Sequence, residues 1–214
     1  MSSQTGKTSP YSASFTGAGM MYAETNLILP LYLEMDEKEV LRIVRADSTI
    51  LQIKAEKSRD RVAKELLKRF RMMPASFWQN YLTLGEKEQR VALFYVILKT
   101  YRLLFELQVN LVIPKYYSPD RILTKNDIQA AVSEIATQDE FVDSWSSETR
   151  DRLSSQYLAM LRQGGLVDSA TGELAPPDLD DDAFAAYVRS GDVWFLQACF
   201  LPGYKIEQIK QLAL

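Results

Sequence analysis

The chain has 214 residues but no histidine and only one cysteine. Without imidazole, Ser-His-Asp and Cys-His catalysis and every His-ligated metal site are excluded. Cys199 stands alone in the apolar run WFLQACF, so it cannot form an intramolecular disulfide, and we interpret it as a small buried hydrophobic residue. The glycine spacings GxxxxGK[ST] and GxGxxG, which cradle phosphates, are also missing. These absences predict a protein that is not an enzyme and that holds no metal ion or cofactor.

Long uncharged hydrophobic runs are missing as well. The most apolar stretch, residues 86–112, is interrupted by Lys99, Arg102 and Glu106 before the roughly 18 uncharged residues of a membrane span accumulate. The first residues, MSSQTGKTSPYSASFTG, lack the apolar segment of a secretory signal. The sequence therefore predicts a cytoplasmic protein without membrane contact.

Charge is spread unevenly along the chain. Up to Lys125 there are 19 Lys and Arg residues against 13 Asp and Glu residues, whereas the remainder has 6 against 15. Such asymmetry between halves suggests a basic surface for a polyanion and a separate acidic surface.

Residues 86–112 contain neither glycine nor proline, and they carry apolar side chains on nearly every side of a helix. A helix that is apolar all round is buried. This stretch therefore predicts one long central helix with the other helices packed around it. Helical periodicity elsewhere predicts a mainly all-α protein, built as a helical bundle whose C-terminal part resembles a helix-turn-helix with a small β-hairpin.

The predicted organisation has three parts. Residues 1–10 are rich in Ser, Thr and Gly and are expected to be disordered. Residues 11–116 form a helical domain, and residues 117–214 form a helical, winged-helix-like domain. The boundary is placed where Pro114 and the motif YYSP interrupt the helical pattern.

The stretch SRDRVAKELLKRFRMM predicts a basic helix in the first domain, with Ser58 as its N-cap. Its apolar residues form one stripe, and Arg61, Lys64, Lys68 and Arg71 share another face, with Arg59 nearby. A basic helix face is either simply solvated or a surface for a polyanion, and the residues alone leave both open.

The second domain predicts a helix capped by Thr124 and Asp127, then a helix over ETRDRLSSQYLAMLRQGG, then a hairpin over GLVDSATGEL. This order is typical of a winged helix-turn-helix, in which the second helix enters the DNA major groove. The same order also describes a helical bundle with one hairpin.

Three stretches carry a resemblance to a known family: YSASFTGAGMMYAETNL near the N-terminus, SRDRVAKELLKRFRMM, and VALFYVILKTYRLLFELQVNLV. With them the chain resembles BrxA of the BREX bacteriophage-defence systems over essentially its whole length. The resemblance implies a helical fold likened to NusB-type proteins. It also implies a small, non-enzymatic, nucleic-acid-binding component that works beside a methyltransferase, an ATPase and an alkaline-phosphatase-like protein.

We therefore expect an accessory protein that binds duplex DNA and contacts other BREX proteins. The alternatives are a protein-interaction subunit, which would dock partners through the acidic second half and its aromatic residues, and an RNA-binding protein like NusB. The oligomeric state stays open. The candidate DNA contacts are Arg59, Arg61, Lys64, Lys68 and Arg71 on the first basic helix, and Arg150, Arg152, Ser155, Gln156 and Arg162 on the second.

Overall fold

A computed structural model describes residues 9–213 and is mainly helical, which confirms the predicted all-α class. Residues 1–8 of the predicted disordered stretch lie outside the described residues. In the part of the chain that the structure describes, no helix is long and apolar enough to cross a membrane. The helices are α1 (Tyr22–Glu34), α2 (Glu37–Ala46), α3 (Ser48–Leu51), α4 (Glu56–Phe70), α5 (Ala75–Tyr81), α6 (Glu86–Thr100), α7 (Arg102–Leu107), α8 (Ile113–Tyr116), α9 (Lys125–Ala136), α10 (Glu140–Asp143), α11 (Ser147–Gln163), α12 (Asp181–Arg189), α13 (Trp194–Ala198) and α14 (Gly203–Leu212), with a 3-10 turn at Ser14–Gly17 and a π-helical segment at Gln108–Val112.

The prediction of one continuous helix over residues 86–112 is wrong, because the chain breaks at Tyr101. Tyr101 has an extended backbone (φ −120°, ψ 101°) between α6 and α7, and a π-helical segment follows α7. The Tyr101 ring packs against Phe15, with the ring centroids 5.1 Å apart, and its hydroxyl accepts a hydrogen bond of 3.1 Å from Nε of Arg69. Partners distant in sequence thus hold the break in place.

Helix α6 is buried on all sides, as its composition indicates. Every residue from 91 to 98 is buried. Rings from both sides of the predicted boundary at residue 116 meet on it: Tyr95 packs against Phe77 from α5 and against Tyr187 from α12. The two predicted domains therefore share one hydrophobic core, and the boundary between them stays a prediction.

Asp192 fastens the C-terminal helices to α6. Its carboxylate accepts hydrogen bonds from the Tyr95 hydroxyl, from Nζ of Lys99 at 2.7 Å and from Nε1 of Trp194 at 2.7 Å. Burial alone would raise the pKa of Asp192, but these hydrogen bonds outweigh it and hold the pKa below its ordinary value. Lys99 therefore pairs with a carboxylate that links the C-terminal helices to α6.

The predicted hairpin after α11 is reduced to one antiparallel bridge between Val167 and Leu174. Two backbone hydrogen bonds flank this bridge, from the N–H of Asp168 to the carbonyl of Glu173 (2.8 Å) and from the N–H of Ala175 to the carbonyl of Leu166 (3.0 Å), while the N–H of Leu174 points outward and donates to the carbonyl of Arg121. Before it, Gly165, the second glycine of the pair that ends the predicted helix ETRDRLSSQYLAMLRQGG, adopts the left-handed conformation (φ 75°) that glycine favours at a helix C-terminus. The helix-turn-helix assignment of α9 to α11 stays a prediction.

A buried arginine joins three parts of the fold. Arg69 is 2% exposed, and its guanidinium donates hydrogen bonds to the carbonyls of Gly19 (2.8 Å) and Met20 (2.9 Å) as well as to Tyr101. Burial lowers the pKa of Arg69 to about 10, with Glu65 nearby acting in the opposite direction. The N-terminal segment, α4 and the break after α6 are held together by this one side chain.

Replacing this side chain tests its role. We expect Arg69→Met to lower the free energy of unfolding by about 3 kcal/mol, because the two carbonyls and Glu65 lose their buried cation. The matched control is Arg71→Met on the same helix, where an exposed ion pair with Glu37 is lost and the cost is below about 1 kcal/mol. Urea unfolding of both variants measures the difference, and equal stabilities would contradict it.

Candidate nucleic-acid interface

Arg59 does not lie on the basic surface where the sequence placed it. It is 6% exposed, and its guanidinium donates to the carbonyls of Val44, Arg45, Ile53 and Lys54, with distances of 3.0 Å to Val44 and 2.7 Å to Lys54. The last carbonyls of α2 have no partner within that helix. Arg59 supplies one, so it is a structural residue.

Two further predicted cations, Lys64 on α4 and Arg71 directly after it, already pair with carboxylates of the protein. Nζ of Lys64 lies 2.8 Å from Oδ2 of Asp60, and Arg71 forms a two-pronged ion pair with Glu37, in which its Nε donates at 2.7 Å. Both pairs are exposed enough for solvent to weaken them. A phosphate group that approaches these cations must nevertheless compete with a carboxylate.

Arg61 and Lys68 differ from their neighbours. Within residues 9–213 neither has a carboxylate at ion-pair distance, and both contact the turn Ser14–Gly17. Nζ of Lys68 donates to Oγ of Ser14 at 3.3 Å, and a Cβ placed at Gly17 would lie 3.7 Å from Nη1 of Arg61. The turn lies along the basic face of α4.

Lys54 and Lys57 extend this row of cations. Both are exposed, and neither forms an ion pair in the described part of the chain. Lys57 is one helical turn before Arg61, and Lys54 lies just before the start of α4. We call Lys54, Lys57, Arg61 and Lys68 the basic strip.

The predicted contacts on α11 form no comparable strip. Arg150 donates to the carbonyl of Asp143 at 3.1 Å and so fastens α10, and Arg152 pairs with Glu148 at 2.6 Å. The hydroxyl of Ser155 donates to the carbonyl of Asp151 in its own helix. Of these cations, only Arg162 is free of a carboxylate partner among residues 9–213.

Gln156 lies against the N-terminal segment. A Cβ at Gly19, whose φ is +65°, would lie 2.9 Å from Oε1 of Gln156. The structure thus brings α4 and α11 to the same segment, with Arg61 and Lys68 against its first part and Gln156 against its end. The sequence did not predict these contacts of the N-terminal segment. They join residues about 45 to 140 positions apart, so they leave no local signal.

A family model for BrxA matches residues 9–190 of the chain. The chain belongs to the BrxA family. None of the curated proteins compared with this BrxA-family chain matches it. Among solved structures, the crystal structure of an uncharacterized protein from Magnetospirillum magneticum is similar, with a TM-score of 0.75 and 18% sequence identity. The match covers 89% of this chain and 98% of that one, and it shows a shared fold.

The BrxA-family chain also has an acidic groove between the N-terminal segment, the stretch from α7 through the π-helical segment, and α9. Its volume is about 780 Å³, apolar and acidic side chains both line it, and within residues 9–213 no Lys or Arg lines it. Tyr11 lies at its edge and donates to Oε2 of Glu106 at 2.7 Å. Burial and this carboxylate raise the pKa of Tyr11 to about 12. Among residues 9–213 no group of three or more carboxylate or thiol side chains is placed to hold a metal ion. The acidic residues of the groove are Glu106, Asp127, Glu134 and Asp139.

The buried position of Arg59 gives a test that separates folding from binding. We expect Arg59→Met to lower the free energy of unfolding by about 2–4 kcal/mol, because several buried carbonyls lose their donor. We expect the affinity of the folded protein for DNA to stay unchanged. Chemical unfolding and a DNA titration at a temperature where the variant is folded measure both. Weakened DNA binding with unchanged stability would contradict this assignment.

Proposed function

We propose that this BrxA-family protein is a non-enzymatic accessory component of a BREX phage-defence system that binds duplex DNA. The observation that carries the proposal is the basic strip. Three of its cations, Lys57, Arg61 and Lys68, share one face of α4, and Lys54 lies just before the helix. No carboxylate pairs with any of the four within residues 9–213. The family membership supports the role in phage defence.

The physical basis is the release of counterions. Each Lys or Arg that neutralises a phosphate frees condensed cations from the DNA, so the logarithm of the binding constant falls linearly with the logarithm of the salt concentration. If the four cations of the strip each neutralise one phosphate, the slope is about −3 to −4. Contacts of this kind position the protein on the duplex and read no sequence.

Charge reversal on the strip tests the proposal. We expect the triple variant Lys54→Glu, Lys57→Glu, Arg61→Glu to lose most of its affinity for duplex DNA at low salt and to show a shallower salt dependence. The matched control, Lys87→Glu, Lys205→Glu, Lys210→Glu, changes the net charge by the same amount at residues that pair with carboxylates elsewhere. Mobility-shift titrations at two salt concentrations measure both variants.

Equal losses in the two triple variants would show an effect of net charge alone and would contradict the strip. Parallel titrations with single-stranded DNA and RNA decide between duplex DNA and the RNA-binding alternative.

The acidic groove favours a second candidate function, a protein-interaction subunit of the same defence system. A groove lined by both apolar and carboxylate side chains is complementary to a partner segment that carries Lys, Arg and aliphatic residues. A wild-type protein that binds no nucleic acid at low salt would support this candidate over DNA binding.

A further inference from the structure

Among residues 9–213, no carboxylate lies at ion-pair distance from Lys68. Its ammonium group donates to the neutral hydroxyl of Ser14 and lies 4.4 Å from the centroid of the Tyr101 ring. Glu65, the nearest acidic residue on α4, is turned toward Arg69, with Oε1 3.9 Å from its Nε. Burial lowers the pKa of Lys68, with the charge of Glu65 acting in the opposite direction. The charged form therefore gives up part of its hydration and, within residues 9–213, has no carboxylate at ion-pair distance.

Arg61 lies two helical turns before Lys68 on the same face of α4. Its guanidinium approaches the turn at Gly17, whereas Lys68 approaches it at Ser14, so the two cations contact the two ends of one four-residue turn. An exposed Arg that keeps free N–H donors is suited to a tetrahedral oxyanion, because its planar fork forms paired hydrogen bonds.

We propose that Arg61, Lys68 and the hydroxyl of Ser14 form a binding site for one phosphate group. The site rests on the proposed function only for the source of the phosphate, which is the DNA backbone if that function holds and a free phosphate otherwise. The N-terminal turn thereby becomes part of the interface.

The neighbouring cations support this choice of residues. Beside Lys64 and beside Arg71, a carboxylate of the protein already occupies the position that a phosphate would take. At Lys68 that position is held by a hydroxyl, which can rotate to donate to an incoming oxygen. A phosphate would give the half-buried ammonium the charge-assisted hydrogen bond that it lacks.

Three variants separate the site from its surroundings. Lys68→Met keeps an unbranched stem over the Tyr101 ring and removes the charge. Arg61→Gln changes an exposed residue, so it tests the site even if the first variant is unstable. Lys64→Met is the matched control, because it removes a cation of the same helix that pairs with Asp60.

Each protein is titrated with inorganic phosphate and, separately, with a duplex of random sequence, and the backbone amide signals of Ser14–Gly17 are followed by NMR. We expect both ligands to shift these signals in the wild type, and we expect Lys68→Met and Arg61→Gln to reduce the shifts. Each of these two variants should also bind the duplex more weakly and lower the salt slope by about 1, whereas Lys64→Met should leave the slope unchanged.

The outcomes distinguish the site from the function. If the wild type binds duplex DNA and both variants keep its affinity and slope, the phosphate site is refuted while the proposed function stands. If the wild type binds no DNA but inorganic phosphate shifts Ser14–Gly17 in a Lys68-dependent way, the site stands and the proposed function fails. If neither ligand shifts these signals, the site is refuted.

Discussion

A guanidinium group that is taken out of water needs hydrogen-bond acceptors in fixed positions. Arg69 finds them in the carbonyls of Gly19 and Met20 and in the hydroxyl of Tyr101. The N-terminal segment must therefore cross α4 at this point, and the central stretch must depart from a helix where Tyr101 turns inward. Phe15 then fills the space beside the Tyr101 ring. The position of the turn Ser14–Gly17 on the protein surface follows from this buried contact.

The surface chemistry of α4 follows from the same arrangement. Helical geometry divides its cations into those that face the core, such as Arg59, and those that face solvent. Carboxylates from α4 itself and from α2 then neutralise Lys64 and Arg71. Lys57, Arg61 and Lys68 remain on α4, and the last two lie against the segment that Arg69 holds. A helix with many basic residues thus presents a small number of cations that are available to a polyanion.

Much of the helical structure could be predicted from the sequence, because periodicity and capping residues are local. The Thr124–Asp127 capping box and the left-handed Gly165 are examples. The burial of Arg59 could also have been inferred, since it lies three residues before Val62 and thus on the apolar stripe. The break at Tyr101 could not, because no glycine or proline marks it and its causes lie at Phe15 and Arg69. The ion pair between Arg71 and Glu37, with which a phosphate at Arg71 would compete, could not be inferred from local sequence either.

The most direct test of the basic strip is a lysine-reactivity footprint, in which the folded protein is acetylated with and without saturating duplex DNA at low salt and the modified sites are mapped by mass spectrometry. We expect DNA to protect Lys54 and Lys57, which are exposed in the free protein, and to leave Lys87, which pairs with Asp178, equally reactive. Protection of Lys87 with no change at Lys54 and Lys57 would contradict the account.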